Sequence, residues 1–96
     1  MSKVIFSRRA KVDLLRIWSY LAEKAGIETA DRITRSLYDR CDFLARSRGL
    51  GQLQREIGPT IRSFSVKKYV IFFERHSEGI NVLRVVHGSR DWANLF

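Results

Sequence analysis

The chain has 96 residues, with 18 Lys and Arg against 10 Asp and Glu for a formal net charge of +8. That length makes one domain, residues 1–96, with a core large enough to fold alone, and 45% apolar content with one proline excludes a disordered or low-complexity chain. No window approaches the ~18 apolar residues of a membrane span. The opening MSKVIFSRR lacks the apolar stretch of a secretory signal, so the cytoplasm is the expected compartment. Cys41 stands alone, which excludes an internal disulfide and a cysteine metal site. His76 and His87 are too few to hold a metal without several carboxylates. No cofactor is expected.

Lys3–Phe6 (KVIF) reads as a short edge strand. Ser7 is placed to cap a helix whose apolar face is Ala10, Leu14, Ile17, Leu21 and Ala25, a spacing of four, three, four and four. Trp18 lies beside that stripe, either extending it or lining a groove. Gly26 stops the helix. A second helix is predicted from about Glu28–Thr29 to Ala45, with Ala30, Ile33, Leu37, Cys41 and Leu44 inward. Its outer face pairs Glu28 with Arg32, Asp31 with Arg35, Arg35 with Asp39 and Asp42 with Arg46 at i,i+4 spacing. The two-residue connection Gly26-Ile27 predicts an antiparallel helical hairpin. Cys41, on the inward stripe, is predicted to be packed and inert.

Arg46–Pro59 reads as a polar loop. Three strands follow: Ile61–Val66, with Phe64 and Val66 on one face and Ser63 and Ser65 on the other; Tyr69–Glu74 after the tight Lys67-Lys68 link; and Ile80–Val86 after a turn containing Ser77, Glu78 and Gly79. Tyr69–Phe73 is apolar on both faces, the mark of a central strand covered on two sides. The predicted class is therefore α+β, in the order β-α-α-β-β-β, with a helical hairpin on one face of a small antiparallel sheet. Something else must cover the apolar surplus on the other face.

Nucleotide-loop and metalloenzyme motifs (GxxxxGK[ST], GxGxxG, HExxH, CxxC) are missing from the sequence. Thirteen of the 18 basic residues are arginine, whose planar fork suits phosphate and carboxylate, so an acidic partner is expected. A metal-free ribonuclease needs a group that exchanges a proton near neutral pH and cations for the phosphate. His87, Arg62, Arg84 and Arg90 are the residues that can supply these. The competing reading makes His87 a structural imidazole bonded to the turn after the last strand, and Arg62 and Arg84 solvated strand residues. Trp92 and Phe96 form an apolar tail that either caps the core or meets a partner.

RSFSVKKYVIFFE, an acidic-glycine turn, and INVLRVVHGSRDW resemble the C-terminal half of ParE toxins, in the RelE/ParE toxin superfamily. The earlier part follows more loosely, through Ala10, Asp13, Leu14, Ile17 and Tyr20 and then Ala30, Leu37 and Leu44. Ser47 and Arg48 stand where the family often has a proline. The resemblance implies the toxin of a type II toxin–antitoxin pair that arrests growth by binding DNA gyrase, without an enzymatic site of its own. It also implies neutralisation by a ParD-like antitoxin whose acidic C-terminal segment wraps the toxin. Under this reading Arg62, Arg84, His87, Arg90 and Trp92 meet the target, and Trp18, Tyr38, Tyr69, Ile71 and Phe73 line the antitoxin groove. Direct nucleic-acid contact is secondary, and no membrane partner is implied. The RelE branch, which cleaves messenger RNA on the ribosome, is the alternative. This chain has Ser63 and Val70 where that branch carries basic residues and Phe96 where it carries a tyrosine, and only Arg90 fits.

Overall fold

The computed structural model describes residues 2–96. Strand β1 (Lys3–Phe6) leads into helix α1 (Arg8–Ala25) and helix α2 (Ile27–Arg46). Strands β2 (Gln52–Leu53), β3 (Arg62–Val66), β4 (Tyr69–His76) and β5 (Gly79–His87) follow, and a 3-10 turn at Trp92–Asn94 closes the chain. The sheet has five strands in the order β1-β5-β4-β3-β2. It is mixed rather than antiparallel throughout, because β1 runs parallel to β5, pairing Lys3–Phe6 with Gly79–Val82. The two-residue β2 lies inside the segment predicted as loop and pairs with Ser63 and Arg62.

Local chemistry explains the helical hairpin. Ser7 Oγ accepts the Ala10 N–H at 3.0 Å, capping α1, and donates to the Leu83 carbonyl at 2.8 Å, which fixes the helix start to β5. Gly26 alone connects the helices, one residue fewer than the predicted link. Its φ of 97° is left-handed, a conformation open to glycine at little cost. The predicted i,i+4 pairs on α2 do not close. Among the described residues the ion pairs are Lys3–Glu78 and Arg84–Asp13. Exposed helical pairs gain only a few tenths of a kcal/mol, too little to hold long side chains together. Asp31 instead accepts the Trp18 indole N–H at 2.8 Å, across the two helices.

The main core lies between the helices and one sheet face. Ala10 and Leu14 of α1 and Leu37, Cys41 and Leu44 of α2 pack onto Ile71, Phe73, Ile80, Val82 and Val85. A smaller cluster on the far face joins Val70, Phe72, Val86 and Leu95, with Ile57, Ile61 and Trp92 against it. The central strand is thus covered on both sides, and the chain's own tail and 57–61 segment supply the second cover. Ile71 and Phe73 were expected in a groove, but both are fully buried beneath the helices. Two adjacent apolar faces on one strand cannot both stay open to water: burying each large side chain is worth about 1.5–3 kcal/mol.

A β-bulge sets the inner geometry of β5. Phe72 pairs with Arg84 and Phe73 with Val82, so Leu83 is the extra residue. Alternation is inverted there. Val82 and Val85 therefore both reach the helical core, while Val86 faces the tail.

Candidate functional site: a cation-rimmed groove at one end of the sheet

The Tyr69 and His87 ends of β4 and β5 are paired. Where α1 passes over them a groove of about 550 Å³ opens. Its floor is apolar: Ile17 and Leu21 from α1, over the buried Val85 of β5. Tyr20 and Tyr69 form aromatic walls, and Arg16, Lys68 and Arg90 stand on the rim with His87 and Ser89. Among the described residues none of the three rim cations has a carboxylate partner. Asp13 is the acidic residue of the lining, and it is already neutralised.

Asp13 is consumed by Arg84. Arg84 Nε donates to Asp13 Oδ2 at 2.7 Å and Nη2 to Oδ1 at 2.9 Å, a two-pronged pair, and Nη1 donates to the Leu95 carbonyl at 2.7 Å. The Val85 N–H adds a third bond to the carboxylate at 3.0 Å. Both residues are buried, Arg84 at 6% exposure. Hydrogen bonding to the Asp13 carboxylate raises the arginine pKa further, against the opposing effect of burial. Arg84 therefore ties α1, β5 and the C-terminal tail together and presents no surface for a target, contrary to its expected role.

The other predicted target residues are dispersed. His87 is exposed; its Nδ1 lies 2.7 Å from Ser89 Oγ and accepts the Ser89 N–H at 3.2 Å, and the ring meets Tyr69 edge-on at 5.7 Å. That is the geometry of the structural reading, a ring fixed to the turn after the last strand. Arg90, exposed, belongs to the groove. Arg62, on β3, pairs with Phe73 and Leu53 and donates to the Gly51 carbonyl at 3.1 Å. It stands away from the groove. Trp92 is half-buried against Phe72, with ring centroids 5.0 Å apart at 90°, and serves as a lid on the far-face cluster.

The predicted groove residues also separate. Tyr69 lines the observed groove, where burial, with a smaller contribution from Tyr20, raises its hydroxyl pKa. Trp18 faces Asp31 on the helical hairpin, and Tyr38 stacks edge-on against Phe6 at 5.3 Å beside β1. Neither lines the groove. Arg16, Lys68 and the wall role of Tyr20 were missed in the sequence. The signal was present: Asp13, Arg16 and Tyr20, at spacings of three and four, form a helical flank beside Ile17 and Leu21 of the apolar stripe.

Two antiparallel helices over one face of a five-stranded mixed sheet, with the C-terminal tail folded beneath the other, define an α+β domain of the RelE/ParE type. A solved chain of the chromosomal ParDE TA system from P. aeruginosa superposes with a TM-score of 0.77 at 20% identity, over 91% of this chain and 96% of that one. The profile of the ParE toxin of type II toxin-antitoxin system, parDE, matches residues 4–92. Toxin ParE1 of Caulobacter vibrioides is 32% identical over 83 residues, 86% of this chain and 85% of that protein. Toxin ParE1 of Mycobacterium tuberculosis is 30% identical over 91 residues, covering 94% and 93%. The chain belongs to the ParE family of toxins from type II toxin–antitoxin systems.

Proposed function

We propose that this toxin arrests growth by binding DNA gyrase in the cytoplasm, without hydrolytic chemistry. In this reading an antitoxin of the ParD kind holds it in check by laying an acidic, amphipathic segment in the groove. The observation that carries the proposal is the groove itself: an apolar floor beneath Arg16, Lys68 and Arg90, all three without a carboxylate partner among the described residues. Apolar side chains of a partner would cover Ile17 and Leu21 while its carboxylates met the rim, a match of both shape and charge. The ParDE assembly named for the P. aeruginosa structure supports a partner of this kind.

The positions that would serve a RelE-type cleavage support a binding role. Ser63 is buried and accepts the Gln54 amide at 2.9 Å, and Val70 is in the far-face cluster. Phe96 rests on Phe72 with centroids 5.6 Å apart and has no proton to exchange.

The test is a supercoiling and cleavage assay with purified gyrase, toxin, and a ParD-like antitoxin added in a second series. Loss of supercoiling with accumulated cleaved DNA, reversed by antitoxin, is the expected result. Unaffected gyrase alongside cut messenger RNA on translating ribosomes would replace this reading with the ribonuclease one.

A further inference from the structure

The opposite end of the β4–β5 hairpin carries a second concavity, about 560 Å³, between the end of α2 and the turn at Ser77-Glu78. Its charge is lopsided. Arg46, Arg48, Arg75 and His76 face Glu78, whose carboxylate is already taken by Lys3 at 3.0 Å. Among the described residues none of the three arginines has a carboxylate partner.

The donors are held in place by the fold. Arg75 lies over the Phe73 ring at 5.6 Å and donates Nη1 to the Leu44 carbonyl at 3.0 Å and Nη2 to the Ser47 carbonyl at 2.6 Å, closing the end of α2. Its Nε is buried with no protein partner. His76 Nδ1 accepts the Glu78 N–H at 3.1 Å, which places the proton of the neutral ring on Nε2. Nε2 too is buried with no protein partner. Arg48 spends one donor on the Ser77 carbonyl at 3.1 Å, and Arg46 spends Nε on the Asp42 carbonyl at 3.3 Å. The nearby backbone acceptors are therefore used, and the polar capacity left over is almost wholly N–H.

We propose that this concavity binds a phosphate group among the guanidinium groups of Arg46, Arg48 and Arg75, with the Ser77-Glu78 turn as its wall. A tetrahedral oxyanion suits donors arriving from the end of α2 and from the end of β4 better than a planar carboxylate with two oxygens. Burial lowers the Arg75 pKa, and the like charges of Arg62 and Arg48 add to it in smaller part. The site is distinct from the groove, and its occupancy does not depend on the gyrase reading, since it is measured on the purified chain alone.

The same chemistry is available as free phosphate or as the backbone of a nucleic acid, so the experiment has two arms. Inorganic phosphate, and separately a short single-stranded thymidine oligonucleotide, are titrated into ¹⁵N-labelled protein at fixed ionic strength, with the arginine Nε–H and histidine ring signals followed by NMR. Saturable movement of the Arg48, Arg75 and His76 signals is expected, with chloride at equal ionic strength giving none. Saturation by phosphate alone assigns a free anion. Saturation by the oligonucleotide only, weakening steeply with salt, assigns the backbone. Both support the site. Replacing Arg46 and Arg48, both exposed, by Ala should weaken binding by about tenfold or more, the scale of losing charge-assisted hydrogen bonds. Arg16→Ala, at the other end of the sheet, should leave binding unchanged. Absence of saturable movement with either ligand overturns the proposal, as does undiminished binding by the double variant.

Discussion

Arg84 shows how one residue's role turns on where its strand is bulged. As a basic residue on the last strand it reads as a surface contact, and its sequence context does not distinguish that from burial. The bulge at Leu83 and the carboxylate of Asp13, 71 positions earlier, decide the matter. Removing one partner of a buried pair strands the other, so Arg84→Ala should cost about 3–5 kcal/mol in urea denaturation. Replacing both, Arg84→Met with Asp13→Leu, should recover most of that loss. If Arg84→Ala proved as stable as the parent chain, the structural role would be refuted. Cys41 is the converse case, legible from its place on the α2 stripe. Burial, with Asp42 adding, pushes its thiol from 9.0 up to about 12. In the unfolded chain the thiol ionises near 9, so the contribution of the neutral buried form is intact below that pH and is lost as pH climbs from about 9 towards 12. By pH 10.5 the loss should reach about 2 kcal/mol in the parent and vanish in Cys41→Ala, seen as a difference in the pH dependence of the denaturation midpoint. At neutral pH a thiol reagent should label Cys41 only on unfolding.

At the scale of elements, what the sequence made legible was whatever depends on neighbours along the chain. The Ser7 cap, the two apolar helical stripes, the Gly26 stop and the strand runs follow from local spacing, and they appear within a residue or two of their predicted bounds. Pairing partners were not legible, because a four-residue run such as Lys3–Phe6 can add to either sheet edge in either direction. The parallel choice depends on Gly79. It was read as a turn glycine, yet the turn is Ser77-Glu78 and Gly79 already pairs with Lys3 and His76. A Cβ there would lie 1.8 Å from the Lys3 carbonyl oxygen. Backbone atoms cannot yield as a flexible side chain does, so Gly79→Ala should push β1 off the sheet. The expected signature is local: amide protection falls at the β1 residues Val4–Phe6 and at their β5 partners, while protection in β3 and at the centre of β4 persists. Unchanged protection in β1 would mean that the edge absorbs the methyl by shifting along the strand.

The groove exists only at the scale of the whole molecule. Tyr20 and Arg16 come from a helix, Lys68 from a tight turn and Arg90 from the residues after the last strand, and they converge because α1 crosses the paired ends of β4 and β5. The +8 charge announced an acidic partner without saying where it binds. In the proposed reading it binds at the rim cations, which separate two contributions to binding. Long-range attraction speeds encounter and is screened within about 10 Å at 0.1 M salt, whereas contact with the apolar floor slows dissociation and is nearly indifferent to salt. Arg16→Glu with Arg90→Glu should therefore lower the association rate with a ParD-like antitoxin by about tenfold or more at low ionic strength, with the gap to the parent chain closing as salt rises. Val85 is too deep for a clean test of the floor, being part of the core. Leu21→Ser, half-buried on α1, should raise the dissociation rate and leave the salt dependence alone. Stopped-flow association and dissociation at two salt concentrations would resolve the pair. A charge-reversed toxin that associates as fast as the parent at low salt would move the antitoxin to the parts of the helical hairpin where Trp18 and Tyr38 lie.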